Sequence, residues 1–247
     1  MSVLLQLDSV TYRIARGERG RELVALRDVS LSIRPGELVG VWGPRRSGRT
    51  TLAMVAAGIR QPTQGAVHFD GVDLARIGMF GMRGGIGFCD REFDPVIAET
   101  VIEHVTAPLL SEDVKYSEAE YTAYRQLERV EATEFAHLQP AELDAAGTLR
   151  VAVARATVTR PRLLVVDEPT TGVRPSEERP LLRLLHSFAR DEGLAVLLTA
   201  DDAAALAGVD RALSLNSGVL RGVVDDASGE EPVPADRVVP LRSQETS

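Results

Sequence analysis

Apolar and polar positions alternate along "LLQLDSVTYRI", which predicts a strand. "ELVALRDVSLSIRPGELVGVWG" predicts two or three more strands, with "RPGE" as a turn between them. The run "LVGVW" feeds a glycine-rich loop, and "TTLAMVAAGI" after it reads as a helix. "AVHFDGVDL" predicts a hairpin. From about Asp94 to Asp144 the pattern is mostly helical, with "SEAEYTAYRQLERVEATEFAHL" the longest such stretch. "RLLVVDEP" is a short apolar strand ending in two acids, "ERPLLRLLHSFARDEG" an amphipathic helix, and "LAVLLTADD" another buried strand. "RALSLNSGVLRG" predicts a hairpin turning at Asn216, Ser217 and Gly218. The segment from Val223 is rich in Asp, Glu, Pro and Ser and is expected to be poorly ordered or loosely packed.

With 247 residues the chain can bury a full core, as one large domain or one with a sub-domain. The formal net charge of -8 argues against general nucleic-acid binding, because no basic excess exists to neutralise phosphates. The single cysteine, Cys89, excludes an intramolecular disulfide and reads as a small buried apolar residue. No apolar run approaches the ~20 residues of a membrane span, and the first residues lack the basic start and long apolar run of a signal peptide. The expectation is a soluble cytoplasmic chain that meets a membrane only through a partner.

The chemistry concentrates in two places. The first is "GPRRSGRTT": Gly43, Pro44, Arg45, Arg46, Ser47, Gly48, Arg49, Thr50 and Thr51. It has the spacing of a phosphate-binding loop, G-x-x-x-x-G-K-[ST], with Arg49 where the lysine belongs. Glycines let the backbone curl so that successive N–H groups point inward, and the positive end of the following helix aims at the same spot. Thr50 offers a hydroxyl to magnesium. The second place is the strand end at Asp167 and Glu168. Asp167 can hold magnesium through water, and Glu168 can orient or deprotonate an attacking water. A Gly- and Arg-rich turn or an acidic strand end is ordinary when found alone. The two together make chance a poor account. His68, His104, His137 and His186 have no ligand-type neighbours in sequence and read as packing or surface residues. Trp42 reads as core, and the arginines of "RVAVARATVTRPR" as members of ion pairs.

From Val3 to about Gly222 the chain resembles the nucleotide-binding subunit of an ABC transporter. The landmarks occur in order: "LRDVSLSIRPGELVGVWGP", "TLAMVAAGIRQPTQGAVHFDGVDL", "ETVIEHVTAPL", "RVAVARATVTRPRLLVVDEPTTG" and "LAVLLTADD". "ETVIEHVTAPL" resembles the branch of lipoprotein release and macrolide export. The resemblance implies an α/β P-loop NTPase core, an antiparallel β sub-domain, and a helical sub-domain at about residues 92–145. It leaves residues 223–247 as a tail. It also implies ATP and Mg2+ as cofactors, a membrane-spanning permease, and a homo- or heterodimer with another ATPase subunit on the inner face of the membrane. ATP would lie between one subunit's phosphate loop and the other's signature segment. The permease would dock between about Phe88 and Leu110, with Arg91 and Phe93 in the contact.

The chain departs from the family at several landmarks. The glutamine between sub-domains is replaced by Arg91, or by Asp90 if the register slips. The signature, normally Leu-Ser-Gly-Gly-Gln, aligns with Leu143, Asp144, Ala145, Ala146 and Gly147. The aspartate after the acidic strand aligns with Arg174, and the histidine after the last core strand with Ala200. The adenine-stacking aromatic aligns with Ile14, with Tyr12 on the same strand face as a substitute. Arginine keeps the lysine's charge but swaps a compact ammonium for a wide planar fork. A lost charged hydrogen bond costs roughly 1.5–3 kcal/mol, so weakened rather than abolished ATP binding is expected. Losing one preorganised donor such as the histidine costs about 10²–10³ in rate. These departures predict weak or absent hydrolysis, with a competent second subunit doing most of the work. The alternative is a nucleotide-independent pseudo-ATPase with a structural or regulatory role. A soluble ABC protein of translation or DNA repair fits less well, since those usually carry two cassettes or long insertions.

Overall fold

The computed structural model describes residues 2–16, 21–76, 85–89 and 100–222. Residues 90–99 of the expected permease-docking stretch, with Asp90, Arg91 and Phe93, and the tail from 223 lie outside the described residues.

Among the described residues, ten strands form two sheets. β1 (Leu5–Arg16), β2 (Arg21–Ile33), β4 (Gln64–Phe69) and β5 (Val72–Asp73) make an antiparallel sheet in the order β2-β1-β4-β5. The other sheet has the order β10-β9-β3-β8-β7-β6, built from β3 (Leu38–Trp42), β6 (Ile86–Cys89), β7 (Leu163–Val166), β8 (Ala195–Ala200), β9 (Arg211–Asn216) and β10 (Val219–Gly222). Within it β9, β3, β8, β7 and β6 run parallel, and β10 returns antiparallel at the edge.

The continuous apolar runs of β3, β7 and β8 are explained by burial on both faces. Leu38, Leu164, Val166, Val196 and Leu198 point into one core, shared with the helices. Val39, Val41, Leu163, Val165 and Leu197 point into the other, shared with α1 (Arg49–Ala56) and the antiparallel sheet. The helical part consists of α2 (Val101–Leu110), α3 (Tyr116–Arg129) and α4 (Ala145–Thr157), and α5 (Pro175–Glu192) packs on the core sheet. The fold thus has the α/β core, antiparallel β part and helical part that the resemblance implies.

The long helical stretch in the sequence is broken. α3 stops at Arg129, Glu131 takes a left-handed φ of 55°, and only a single 3-10 turn follows at Thr133–Phe135. Val130 and Ala132 are nevertheless fully buried, so tertiary packing imposes the turn where helical periodicity alone would carry on. Two glycines answer to close approach. A Cβ at Gly43 would lie 2.0 Å from the Leu215 carbonyl oxygen, and one at Gly48, where φ is 110°, 2.3 Å from that of Ala25. The loop is therefore clamped between β2 and β9.

α4 begins with a side-chain cap. The Asp144 carboxylate accepts the Gly147 N–H at 2.8 Å, and its other oxygen accepts from Arg174 at 3.0 Å. Arg174 precedes α5 and also bonds Glu177 at 2.9 Å, so the pair links the starts of two helices. The Gly147 N–H above all, with Arg174 beside it, holds the Asp144 carboxyl below its ordinary value. A carboxyl with a depressed folded pKa stabilises above its unfolded pKa and loses that contribution as pH falls through the folded one. Asp144→Ala is therefore expected to lower stability by about 1 kcal/mol at neutral pH. The deficit should shrink below about pH 4, and chemical denaturation of both proteins across pH measures it.

Candidate functional site

β3, β7 and β8 end side by side, and the loops that follow them carry the candidate chemistry. After β3 the chain enters the loop of residues 43–48 and then α1. The Gly43 N–H donates to the Ala200 carbonyl at 3.2 Å, which ties the loop to the end of β8. The Gly218 N–H donates to the Ser47 carbonyl at 2.8 Å, so the β9–β10 turn braces the loop from the other side. Arg46 holds a φ of 67°, a left-handed conformation that non-glycine residues seldom adopt. The first N–H groups of α1 have no acceptor within the helix and open toward the loop's concavity.

A cleft of about 1100 Å³ lies over this loop. Arg27, Arg45, Arg46 and Arg49 line it against one acid, Glu168, so it is basic in a chain whose net charge is -8. Such a focus of positive charge suits a polyanion. Thr50 and Thr51 lie on the same wall. Ile14 and Leu23, cross-strand partners, supply an aliphatic flank. Tyr12 is not among the cleft residues. Its hydroxyl accepts from Arg60 at 3.0 Å, and its ring packs against the core. The expected period-two relation between Tyr12 and Ile14 fails because β1 shifts register on both sides of Tyr12.

Arg49 does not project into open space. It is 4% exposed, and its Nη2 donates to Glu168 Oε1 at 2.6 Å. Glu168 Oε2 accepts the Thr171 hydroxyl at 3.1 Å, so both carboxylate oxygens are engaged. Glu168 itself sits at φ 49°, just past the end of β7. Thr199, fully buried in β8, joins the two acids: its hydroxyl donates to Asp167 Oδ1 and accepts the Glu168 N–H at 3.0 Å. Thr199, Leu23 and Ser217–Gly218 are site residues that the sequence reading missed. The first looks like any polar residue in an apolar strand, and the others read only as strand and turn.

The buried polar atoms without a hydrogen-bond partner among the described residues include Ser47 Oγ and Arg49 Nη1. Both can donate, and both belong to the phosphate-binding loop. Leaving a buried donor unmet costs about 1–3 kcal/mol, which an anion in the loop would relieve. The residues thus fit a nucleotide's phosphates. Among the described residues no group of three His, Cys, Asp or Glu gathers as a metal cage. Mg2+ is commonly held by one or two protein oxygens plus substrate phosphates, and Thr50 and Asp167 could serve in that way. Leu143 to Gly147, where the signature is expected, lie at the start of α4, with Ala146 and Gly147 buried.

Comparison with known proteins agrees with this geometry. A family model described as ABC transporter matches residues 26–171. The lipoprotein-releasing system ATP-binding protein LolD of Hyphomonas neptunium is 34% identical, over 90% of this chain and 97% of that protein. The ABC transporter ATP-binding protein YtrE of Bacillus subtilis is 30% identical, over 89% of this chain and 97% of its own. The dimeric structure of MJ0796, a bacterial ABC transporter cassette, superposes with a TM-score of 0.80 at 25% identity. That match covers 90% of this chain and all of that one, and the same cassette has been solved with ADP and Pi bound. A clamped phosphate loop facing two strand-end acids, on a chain that matches these cassettes almost end to end, shows that this protein belongs to the ABC transporter family as its ATP-binding cassette.

Proposed function

We propose that this cassette binds ATP in the arginine-lined cleft but hydrolyses it poorly, and works beside a second, competent ATPase subunit. The Arg49–Glu168 ion pair carries this reading. A general base needs a free carboxylate within reach of the attacking water. Here one oxygen is held by a buried guanidinium and the other by Thr171. Ala200 offers no side-chain donor at the end of β8, which removes a further source of transition-state stabilisation.

ATP binding is supported by the surplus of arginines and by the two unmet donors. The Arg49 Nη1 has no partner among the described residues while its Nη2 is committed to Glu168. Mg2+ would be shared between Thr50, Asp167 and the phosphates, and it would supply charge neutralisation there. A membrane-spanning permease as partner, and a place on the inner face of the membrane, follow from kinship with transporter subunits. A second LolD protein, from Caulobacter vibrioides, is 31% identical and further supports a transporter of the lipoprotein-release type.

The purified chain is expected to hydrolyse ATP at or near background. Robust Mg2+-dependent turnover that Glu168→Gln abolishes would overturn the reading. Complete failure to bind ATP in a titration would instead favour the nucleotide-independent structural role.

Arg49→Lys frees Glu168 and restores the compact ammonium. It is expected to tighten ATP binding roughly tenfold, the equivalent of one charged hydrogen bond, and to raise turnover less. Calorimetric titration and a phosphate-release assay on the same preparations separate the two effects.

Asp144 caps α4 with the N–H groups that a partner's phosphate would need, and its charge repels that phosphate even with Arg174 beside it. Replacing Asp144→Ser together with Ala145→Gly and Ala146→Gly should lower monomer stability slightly. The same change should raise ATP-dependent dimerisation with an intact partner subunit, measured by light scattering. If stability falls while dimerisation stays put, Asp144 acts as a cap alone.

A further inference from the structure

The cleft over the phosphate loop is furnished unevenly. At the loop end stand Arg27, Arg45, Arg46 and Arg49, the hydroxyls of Thr50 and Thr51, and a single acid, Glu168. The Arg49–Glu168 pair cancels its own charge. Arg27, Arg45 and Arg46 are exposed and make no ion pair among the described residues. Arg27 is steered toward the loop, because its Nε donates to the carbonyl of Ser217 at 3.2 Å, on the turn that braces the loop. That bond uses one of the five N–H donors a guanidinium carries. Three positive charges therefore converge at this end. Two buried donors, Ser47 Oγ and Arg49 Nη1, belong to residues of the same wall.

The other end is built from Ile14, Leu23, Val24 and Ala25. The Ala25 carbonyl lies against Gly48 of the loop, and Leu23 is two residues further along β2, about 7 Å away at the rise of a strand. This flank thus lies where the rest of a nucleotide would rest once its phosphates fill the loop. Its four side chains carry no donor, no acceptor and no aromatic face. Leu23 is 44% exposed and Ile14 half-buried, so they offer open apolar contact.

Reading a base takes hydrogen bonds to its edge or stacking on its face. Apolar contact alone discriminates weakly between ligands of similar shape. The aromatic ring that β1 carries is already committed. The Tyr12 hydroxyl accepts from Arg60 at 3.0 Å, the same guanidinium lies 5.8 Å from the ring centre, and the ring packs against the core. Arg13 and Glu22, next to Ile14 and Leu23 in sequence, pair with each other at 3.5 Å, and neither lines the cleft.

We propose that this cleft recognises the polyphosphate chain and not the base, so that its ligand class is nucleoside triphosphates of any base together with inorganic tripolyphosphate. The inference rests on the reading of the cleft as a nucleotide site, and it narrows what the nucleotide contributes there. The arginines act on phosphate oxygens that all these ligands share, and Ile14 and Leu23 give whichever base is present a surface to lie on without selecting it.

The full chain is titrated calorimetrically, with Mg2+ present, with ATP, GTP, CTP, UTP and inorganic tripolyphosphate. The four nucleotides are expected to bind within about threefold of one another, and tripolyphosphate within about tenfold of ATP. Arg45→Gln should weaken all five by a similar factor of about ten, the equivalent of one charged hydrogen bond. Ile14→Tyr adds an aromatic face to the flank and should tighten ATP and GTP about fivefold relative to tripolyphosphate. Arg45 is exposed, so its variant keeps the test available should Ile14→Tyr fail to fold. ATP bound more than tenfold tighter than GTP and CTP, or ATP bound while tripolyphosphate is not, would overturn the inference and leave the nucleotide site standing. A loss on Arg45→Gln confined to the nucleotides would do the same. Should none of the five bind, the nucleotide-site reading itself falls, and this inference with it.

Discussion

The burial of β3, β7 and β8 on both faces is the constraint from which the rest of the molecule follows. Three parallel strands with apolar side chains on alternate sides can be satisfied only by covering both sides, here with α1 and the antiparallel sheet on one and the remaining helices on the other. Parallel pairing then forces all three strands to end together. The phosphate loop, the acids Asp167 and Glu168, and Thr199 meet because their strands are in register, although well over a hundred residues separate the first from the last in the chain. Thr199 shows how tight the convergence is. Its one hydroxyl serves the side chain of Asp167 and the backbone of Glu168, so a buried polar group is fully satisfied while it fixes both acids.

Within that frame, arginine in place of lysine changes what the loop does with its charge. A lysine's ammonium is a compact point charge, whereas a guanidinium is a fork that can hold two partners at once. Arg49 uses one arm on Glu168 and leaves the other buried and unmet. The same side chain thus occupies the carboxylate with one arm and keeps a buried donor with the other. A second arginine, Arg174, plays a comparable part at the start of α4, where it meets the carboxylate of Asp144. Pairs as exposed as Asp144–Arg174 add little stability, so their weight lies in what they occupy.

The two ends of the core sheet differ in kind. The end where β3, β7 and β8 finish carries the glycine-rich loop and its ordered hydrogen bonds. The end where they begin carries arginines set against apolar Phe188, Leu194 and Pro161, with α3 leaning over them. Because β10 reverses direction at the sheet edge, the chain finishes its last described strand pointing toward the second end.

The sequence by itself determined the elements and the address of the chemistry. Period-two alternation marked β1, apolar runs marked the core strands, and the spacing from Gly43 to Thr50 marked a phosphate loop, because each of these rests on local geometry. The N-cap at Asp144 is equally local, since its partner lies three residues away. Tertiary structure decided what depends on contacts between distant segments. It broke the long helix at Glu131, turned Tyr12 away from the cleft through the irregular register of β1, and set Leu23 beside Ile14. It also joined Arg49 to Glu168 across 119 positions of sequence. No local pattern encodes that bond: a guanidinium long enough to leave its own loop finds whichever carboxylate the fold places within reach, and only the register of parallel strands determines which one that is.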